Sequence, residues 1–334
     1  MQISFEKILP SKQTRLAFLV RLVAMLPLYA LFLLGCEEII EFDTNNKGGD
    51  LVVFGRVTNG TEGNEVTVSL TSPFDRPSTP IQFANVSVLD EEGNREIFRE
   101  TTDPGTYRSE NPVLDRSTGK KFYLEVCTPN GKMYRSAVEA MPKLVGEDSV
   151  YFNVETERFV TDNAQEVEQT VINVLLDAEI ERNGNEPVFL RWDVEEVYAV
   201  QEVMLPSNKF PLWIWNTCYI TNPVDAQKFF VFNGDDLTND EISNFSLAKR
   251  PLDGSFFGKH YFNVFRYSLS FESFDYWRKV NQLTDRVGSI FDSPPATQPS
   301  NNRNVENPDE VVFGHIEVVA RATSRFLVTK NDIP

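Results

Sequence analysis

From Leu51 onward, apolar and polar residues alternate along the chain, which is the signature of half-buried β-strands. Leu51-Val52-Val53-Phe54-Gly55-Arg56-Val57-Thr58 runs into the turn residues Asn59-Gly60, and Val66 to Leu70 and Ala84 to Leu89 alternate just as regularly. Phe122 to Cys127 and Met133 to Ala137 flank Pro129-Asn130-Gly131. Asn-Gly suits the turns whose twist matches a two-stranded ribbon, so this segment reads as a hairpin. Short strands at even spacing, with little helical periodicity, predict an immunoglobulin-like antiparallel β-sandwich over residues 51–141.

Met141 to Asp148, with Pro142 and Gly146, reads as a junction. Beyond it the pattern is again mainly strand: Val150 to Val154, Thr170 to Leu176, Val188 to Val203, Leu212 to Ile220, Phe229 to Phe232, Tyr261 to Phe271 and Val311 to Ala320. Two helices interrupt this larger β-rich domain, residues 148–334. Thr238-Asn239-Asp240-Glu241 has the spacing of a capping box. Ser273 to Arg286 lacks glycine and proline and carries Phe274, Trp277, Val280 and Leu283 on one face. Pro294 to Pro308, rich in Asn and Ser, reads as an extended surface loop.

The first fifty residues follow other rules. Lys7, Lys12, Arg15 and Arg21 precede an apolar run from Leu22 to Leu34. That run spans roughly 20 Å as a helix, against ~30 Å for a hydrocarbon core, which is too short for a permanent crossing. A basic head, a short apolar middle and Leu33-Leu34-Gly35-Cys36 describe an export signal over residues 1–35. The cysteine after Gly35 makes it a lipoprotein signal with Cys36 as the lipidated residue, and several acyl chains on one thiol give a stable anchor. Residues 36–50, with Asn45-Asn46-Lys47-Gly48-Gly49, read as a flexible tether.

The formal net charge is −17, and removing the signal makes the chain more acidic still. A surface of that sign repels phosphate backbones, and no basic stripe interleaved with aromatics is visible, so nucleic acid is excluded as a partner. The body also stands off anionic headgroups while its tether holds it near the bilayer. Two cysteines remain besides Cys36. Outside the cytoplasm, Cys127 and Cys218 invite a disulfide, with two separate buried thiols as the alternative.

The sequence carries few signals of chemistry. His260 and His315 are too far apart for a histidine metal motif, and both read as structural. Gly254-Ser255-Phe256-Phe257-Gly258-Lys259 has neither the spacing nor the hydroxyl of a phosphate loop. Glu195-Glu196 and Asp235-Asp236 are ordinary in an acidic chain, and Asn233 to Glu241 lacks calcium-loop spacing. No cofactor or metal site is predicted. Trp213 and Trp215 fall on one face of a strand, where two indoles either stack on sugar rings or a partner, or pack between sheets.

The lipid cysteine, Leu51 to Thr58, Ala84 to Val88, Gly105-Thr106-Tyr107, Tyr123 to Val126, Gly131 to Ser136, Ile290 to Pro295 and Val312-Phe313-Gly314-His315-Ile316 together resemble one family. Its members are Bacteroidota outer-membrane lipoproteins, known only as domain of unknown function four-two-four-nine. The resemblance implies a lipid-anchored envelope protein on the periplasmic or, preferably, the cell-surface side of the outer membrane. It further implies an accessory role beside a TonB-dependent transporter in nutrient uptake. It brings no catalytic residues. Asp148-Ser149-Val150 also resembles the O-glycosylation motif of that phylum, with Ser149 as the acceptor. The expectation is therefore a non-enzymatic binding or accessory protein. The alternatives are a surface glycan hydrolase using paired carboxylates and a purely structural envelope component.

Overall fold

The computed structural model describes residues 48–73, 76–109, 111–160, 165–182, 186–204, 214–224, 229–284 and 300–333. Cys36, the signal, the tether up to Lys47, Trp213 and residues 285–299 lie outside these, and Trp215 is described only as a backbone position.

Strands dominate, as the alternation predicts. The first group is β1 (Leu51–Thr58), β2 (Glu65–Leu70), β3 (Thr79–Pro80), β4 (Asn85–Asp90), β5 (Arg95–Glu100), β6 (Thr106–Arg108), β7 (Lys121–Cys127), β8 (Met133–Ser136) and β9 (Glu139–Ala140). The second is β10 (Glu147–Val160), β11 (Glu166–Glu179), β12 (Phe189–Met204), β13 (Ile214–Val224), β14 (Phe230–Asn233), β15 (Glu241–Pro251) and β16 (His260–Leu269). Helix α1 (Phe271–Thr284) follows, and β17 (Asn302–Asn304), β18 (Val312–Phe313) and β19 (Ile316–Val328) end the fold.

One continuous sheet of 16 strands runs in the order β13-β12-β16-β19-β1-β2-β6-β5-β4-β7-β8-β17, and β10-β11-β15 form a second sheet. β1 is the pivot. It pairs antiparallel with β2 and parallel with β18 and β19, so that Leu51 faces Val312 and Gly55 faces Ile316. The two Val-Phe-Gly segments thus lie side by side. Both glycines are dictated by that closeness. A Cβ on Gly55 would sit 2.8 Å from Ile316 and Val66, and one on Gly314, whose φ is +90°, would sit 2.2 Å from the Val53 carbonyl.

Two large cores form, with a smaller third cluster of Phe189, Tyr267, Leu269, Phe274 and Val319. Val53, Val57, Val66, Val68, Val86, Val88, Leu124 and Val126 fill the first, and Ile172, Val174, Leu176, Leu190, Trp192, Phe262 and Val264 fill the second. From Asn46 onward the chain nevertheless forms one compact unit. β19 is the reason. Ile316 to Val319 complete the first sheet against β1, and Ala320 to Val328 pair with β16 in the second half. Its side chains enter both cores. A linker is visible in sequence; a strand contributed across it is not.

Three local expectations change. The capping-box segment forms a single 3-10 turn, Thr238–Asp240, because Asn239 and Asp240 take positive φ and β15 begins at Glu241 to pair with β11. α1 starts two residues early, at Phe271, with the Ser270 hydroxyl accepting from the Ser273 N–H at 3.1 Å as an N-cap. Within the stretch expected to be a surface loop, Asn302–Asn304 pairs with β8, and Asn302 and Asn304 are buried. Their side-chain amides replace ladder bonds: Asn302 Nδ2 donates to the Val53 carbonyl and Asn304 Nδ2 to Glu310.

Candidate functional site

α1 lies across one face of the main sheet, with Phe274 stacked on Phe189 at 4.7 Å. It covers part of that face and leaves a cleft of about 710 Å³ beside it. The floor follows from the period of the strands. Phe54 and Arg56 of β1, Glu317 and Arg321 of β19, Phe265 and Tyr267 of β16 and Glu195 of β12 all project to the same side. Tyr276, Trp277 and Val280 of α1 form the wall with Phe229, and Glu65 and Arg108 form the far rim.

Within the floor sits a network of four ionised groups, Arg56, Arg191, Asp193 and Glu317. Glu317 accepts from Arg56 Nε at 2.5 Å, from Arg191 Nη1 at 2.8 Å and Nη2 at 3.0 Å, and from Trp277 Nε1 at 2.9 Å. Asp193 pairs with Arg191 at 3.2 Å and with Arg56 at 3.6 Å. Two positive and two negative groups therefore cancel within one cluster. Burial alone would raise the Glu317 pKa, but the Arg191 and Arg56 guanidiniums hold its carboxyl far below the usual range. Both guanidiniums also lie over the Tyr267 ring, at 4.3 Å for Arg56 and 4.7 Å for Arg191, and Arg56 donates to the Tyr267 hydroxyl at 2.7 Å.

A second polar cluster adjoins the first behind α1. Glu139 accepts from Ser270 Oγ at 3.1 Å, Ser273 Oγ at 3.2 Å and Asn301 Nδ2 at 3.0 Å. Burial pushes its carboxyl up to about 7 despite these donors. His315 stacks on Tyr276 at 4.3 Å and meets Ser273 Oγ at 3.0 Å, and burial lowers its pKa to about 4. Burial, reinforced by the Glu317 charge, pushes the Tyr276 phenol up to about 12. Ser273 is fully enclosed, and Glu139 bonds to the serine rather than to the far imidazole nitrogen. The trio therefore lacks the base-and-orienter order of a nucleophilic triad.

The residues singled out from sequence fall mostly elsewhere. Cys127 on β7 and Cys218 on β13 are free thiols, with no disulfide between them. β13 stands at one end of the sheet order and β7 near the other, so the fold separates the two. Neither is a fully buried thiol, since Cys218 is exposed and Cys127 partly so. Ser149 is exposed on β10, whereas the neighbouring Asp148 is tied to Trp192 Nε1 and Arg266 at 3.2 Å each. His260 is wholly buried, stacked on Phe256 at 3.9 Å, with Nε2 3.0 Å from Glu196. Arg182 bridges Asp235 and Asp240 beside the 3-10 turns. Only His315 and Glu195 reach the cleft.

Arg191 and Glu317 are not singled out in the sequence, and Arg56 and Trp277 read only as strand and helix-face positions. A signal was present: Arg191 and Glu317 are single charges inside otherwise apolar runs, Phe189-Leu190-Arg191-Trp192 and Ile316-Glu317-Val318-Val319. Charges in such settings are buried only when paired.

Fold and cleft define a mainly β protein built around one continuous sheet, with a single open site against a helix among the described residues that line it. The chain belongs to the family described as "Domain of unknown function (DUF4249)", which matches residues 37–325. No curated protein matches it significantly. Among solved structures it is similar to trypsin-activated alpha-2-macroglobulin from Escherichia coli, at 9% identity and a TM-score of 0.22. That match covers 68% of this chain and 15% of the other, a likeness too slight to carry an argument.

Proposed function

We propose that the protein is a cell-envelope lipoprotein, anchored to the outer membrane through Cys36, that binds rather than transforms its ligand. It works as an accessory beside a TonB-dependent transporter in nutrient uptake. The observation that carries the binding reading is the state of Glu317. A carboxylate locked between two guanidiniums and an indole is held ionised and is not available to give up or take a proton. A glycan hydrolase needs two carboxyls facing one bond across an open site. Here Glu317 is consumed by its partners and Glu139 is buried behind α1, while Glu195 on the floor accepts from Asn263 and Glu65 on the rim is paired with Arg108. The basic and apolar leader that runs into Gly35-Cys36 supports the anchor and the setting. No helix among the described residues is long and apolar enough to cross a membrane.

Affinity purification of the tagged full chain from solubilised envelopes tests the partnership. Co-recovery of a β-barrel transporter is expected, and recovery of the bait alone would overturn it. Anchoring is tested separately: Cys36→Ala is expected to move from the membrane to the soluble fraction, and unchanged sedimentation would refute the lipid site.

A further inference from the structure

The described fold begins at one end of its first group of strands, and that end presents a bare aromatic ring. Gly49 N–H donates to the Thr71 carbonyl at 2.8 Å, and Leu51 pairs with Leu70 and Val312. Leu70 in turn pairs with Thr79 of β3, from which the chain crosses to β4 through Ile81-Gln82-Phe83-Ala84. The hairpin between β7 and β8 turns at the same end, and so does the loop from Val305 to Val311. Val305 N–H donates to the Met133 carbonyl at 2.9 Å, and Lys132 Nζ reaches Glu310 at 3.0 Å, which ties hairpin and loop together.

Phe83 is the exposed ring. It is 80% exposed, and its φ of +60° lies in the left-handed region, which a bulky side chain rarely takes. The backbone around it is pinned on both sides. Phe83 N–H donates to Glu100 Oε2 at 2.9 Å, and Gly105 N–H donates to Glu100 Oε1 at 3.0 Å. Ala84 N–H donates to the hydroxyl of buried Tyr107 at 2.9 Å, and that hydroxyl donates to the Ile81 carbonyl at 2.7 Å. A strained turn is thus held rigid with its aromatic ring in water. Strain of this kind persists only where the surroundings over-determine it, and it clusters at functional positions. Met133, Val305 and Val311 are exposed at the same end.

Two further facts select what covers this surface. Only twelve residues, Cys36 to Lys47, separate the lipid site from Gly48. A chain of that length reaches at most about 40 Å, and as a coil it spans about 20 Å. The end that carries Gly48 is therefore the part of the body kept nearest the bilayer. Charge then selects the headgroup. Among the described residues, the turns at this end carry Asp50, Asp103, Glu306 and Asp309 against Arg76, while Lys132 is matched by Glu310. That acidic excess opposes anionic lipid and leaves apolar insertion as the attraction. We infer that this end docks on a zwitterionic bilayer surface, with Phe83, Val305 and Val311 in the headgroup layer. The inference rests on the reading of Cys36 as the lipid anchor.

The test uses the lipidated chain in phosphatidylcholine vesicles whose acyl chains carry bromine, a quencher of indole fluorescence. Phe83→Trp and Val305→Trp report on this end, and Val113→Trp reports on an exposed turn at the opposite end. An interfacial side chain sits about 5–10 Å into the headgroup and acyl boundary, so the fluorescence added at positions 83 and 305 should be quenched about twofold or more. That added at 113 should be unchanged. Phe83→Ser should abolish the quenching of Val305→Trp, and adding phosphatidylglycerol should weaken it. Val305→Trp keeps the test decisive if Phe83→Trp fails to fold. Equal quenching at all three positions, or at none, overturns the docking. So does quenching of Val305→Trp that survives Phe83→Ser or grows with phosphatidylglycerol. Flotation of the same vesicles separates the two readings. Protein that floats unquenched keeps the anchor and loses the docking, and protein that does not float loses both.

Discussion

Replacing Glu317 by glutamine probes the network that shapes the cleft. The side chain keeps its size and one acceptor oxygen, but its charge is lost and an amide N–H₂ now faces Arg56, Arg191 and Trp277, which are all donors. Two guanidiniums then share Asp193 alone, and an uncompensated positive charge is left buried. Breaking a buried pair in this way costs about 3–5 kcal/mol. At 2–4 °C per kcal/mol for a domain of this size, the melting temperature should fall by at least about 6 °C. The measurement is urea unfolding of the full chain at pH 7, followed in parallel by tryptophan fluorescence and far-ultraviolet circular dichroism. The double variant E317L/R191M serves as the control. It leaves Arg56 with Asp193 as one matched pair, and most of the lost stability should return. Acidification gives an independent check. The folded Glu317 carboxyl titrates below its unfolded value of 4.5. Its contribution is therefore present above about pH 4.5 and is lost as pH falls further. The acid limb of the stability curve should be shallower in E317Q than in the parent. A destabilisation under about 1 kcal/mol with an unchanged acid limb would refute the claim that this network holds the site together.

Three more outcomes follow from the geometry. Glu139 titrates near 7 when folded and 4.5 when unfolded, so its protonated form favours the fold, and stability falls as pH rises through about 7. The difference amounts to about 3 kcal/mol. Glu139→Gln should remove that loss, so comparing urea midpoints of parent and variant at pH 5 and pH 8 decides it, and parallel curves would count against the assignment. Gly314→Ala should cost at least about 2 kcal/mol or abolish folding, since the new Cβ meets the Val53 carbonyl at a left-handed backbone position. A thermal melt equal to the parent's would contradict the side-by-side packing of the two Val-Phe-Gly segments. Iodoacetamide without reductant should label Cys218 in the native protein and Cys127 only more slowly, as read by peptide mass spectrometry. Protection of both until reductant is added would restore the disulfide.

The mainly β character was open to reading because alternation is local. Leu51 to Thr58 needs one apolar face whatever it pairs with, and Phe274 with Trp277 marks an apolar helix face without knowledge of its target. β15 escaped because the capping-box signal just before it pointed to a helix, and pairing with β11 overrode that local preference. β17 escaped because its residues are polar. Asn302 and Asn304 are buried only because neighbouring strands supply partners for their amides.

The cleft was hidden for a related reason. Arg56, Arg191 and Glu317 stand far apart along the chain, and the signal each carries, a charge in an apolar run, says only that some partner exists. By itself the sequence determined most of the strands and the apolar face of the helix, which depend on the order of near neighbours. The tertiary structure alone decided that β19 crosses between two cores and carries Glu317 to both arginines. Long-range register is a property of packed sheets, and the meeting of distant charges exists only once those sheets have closed.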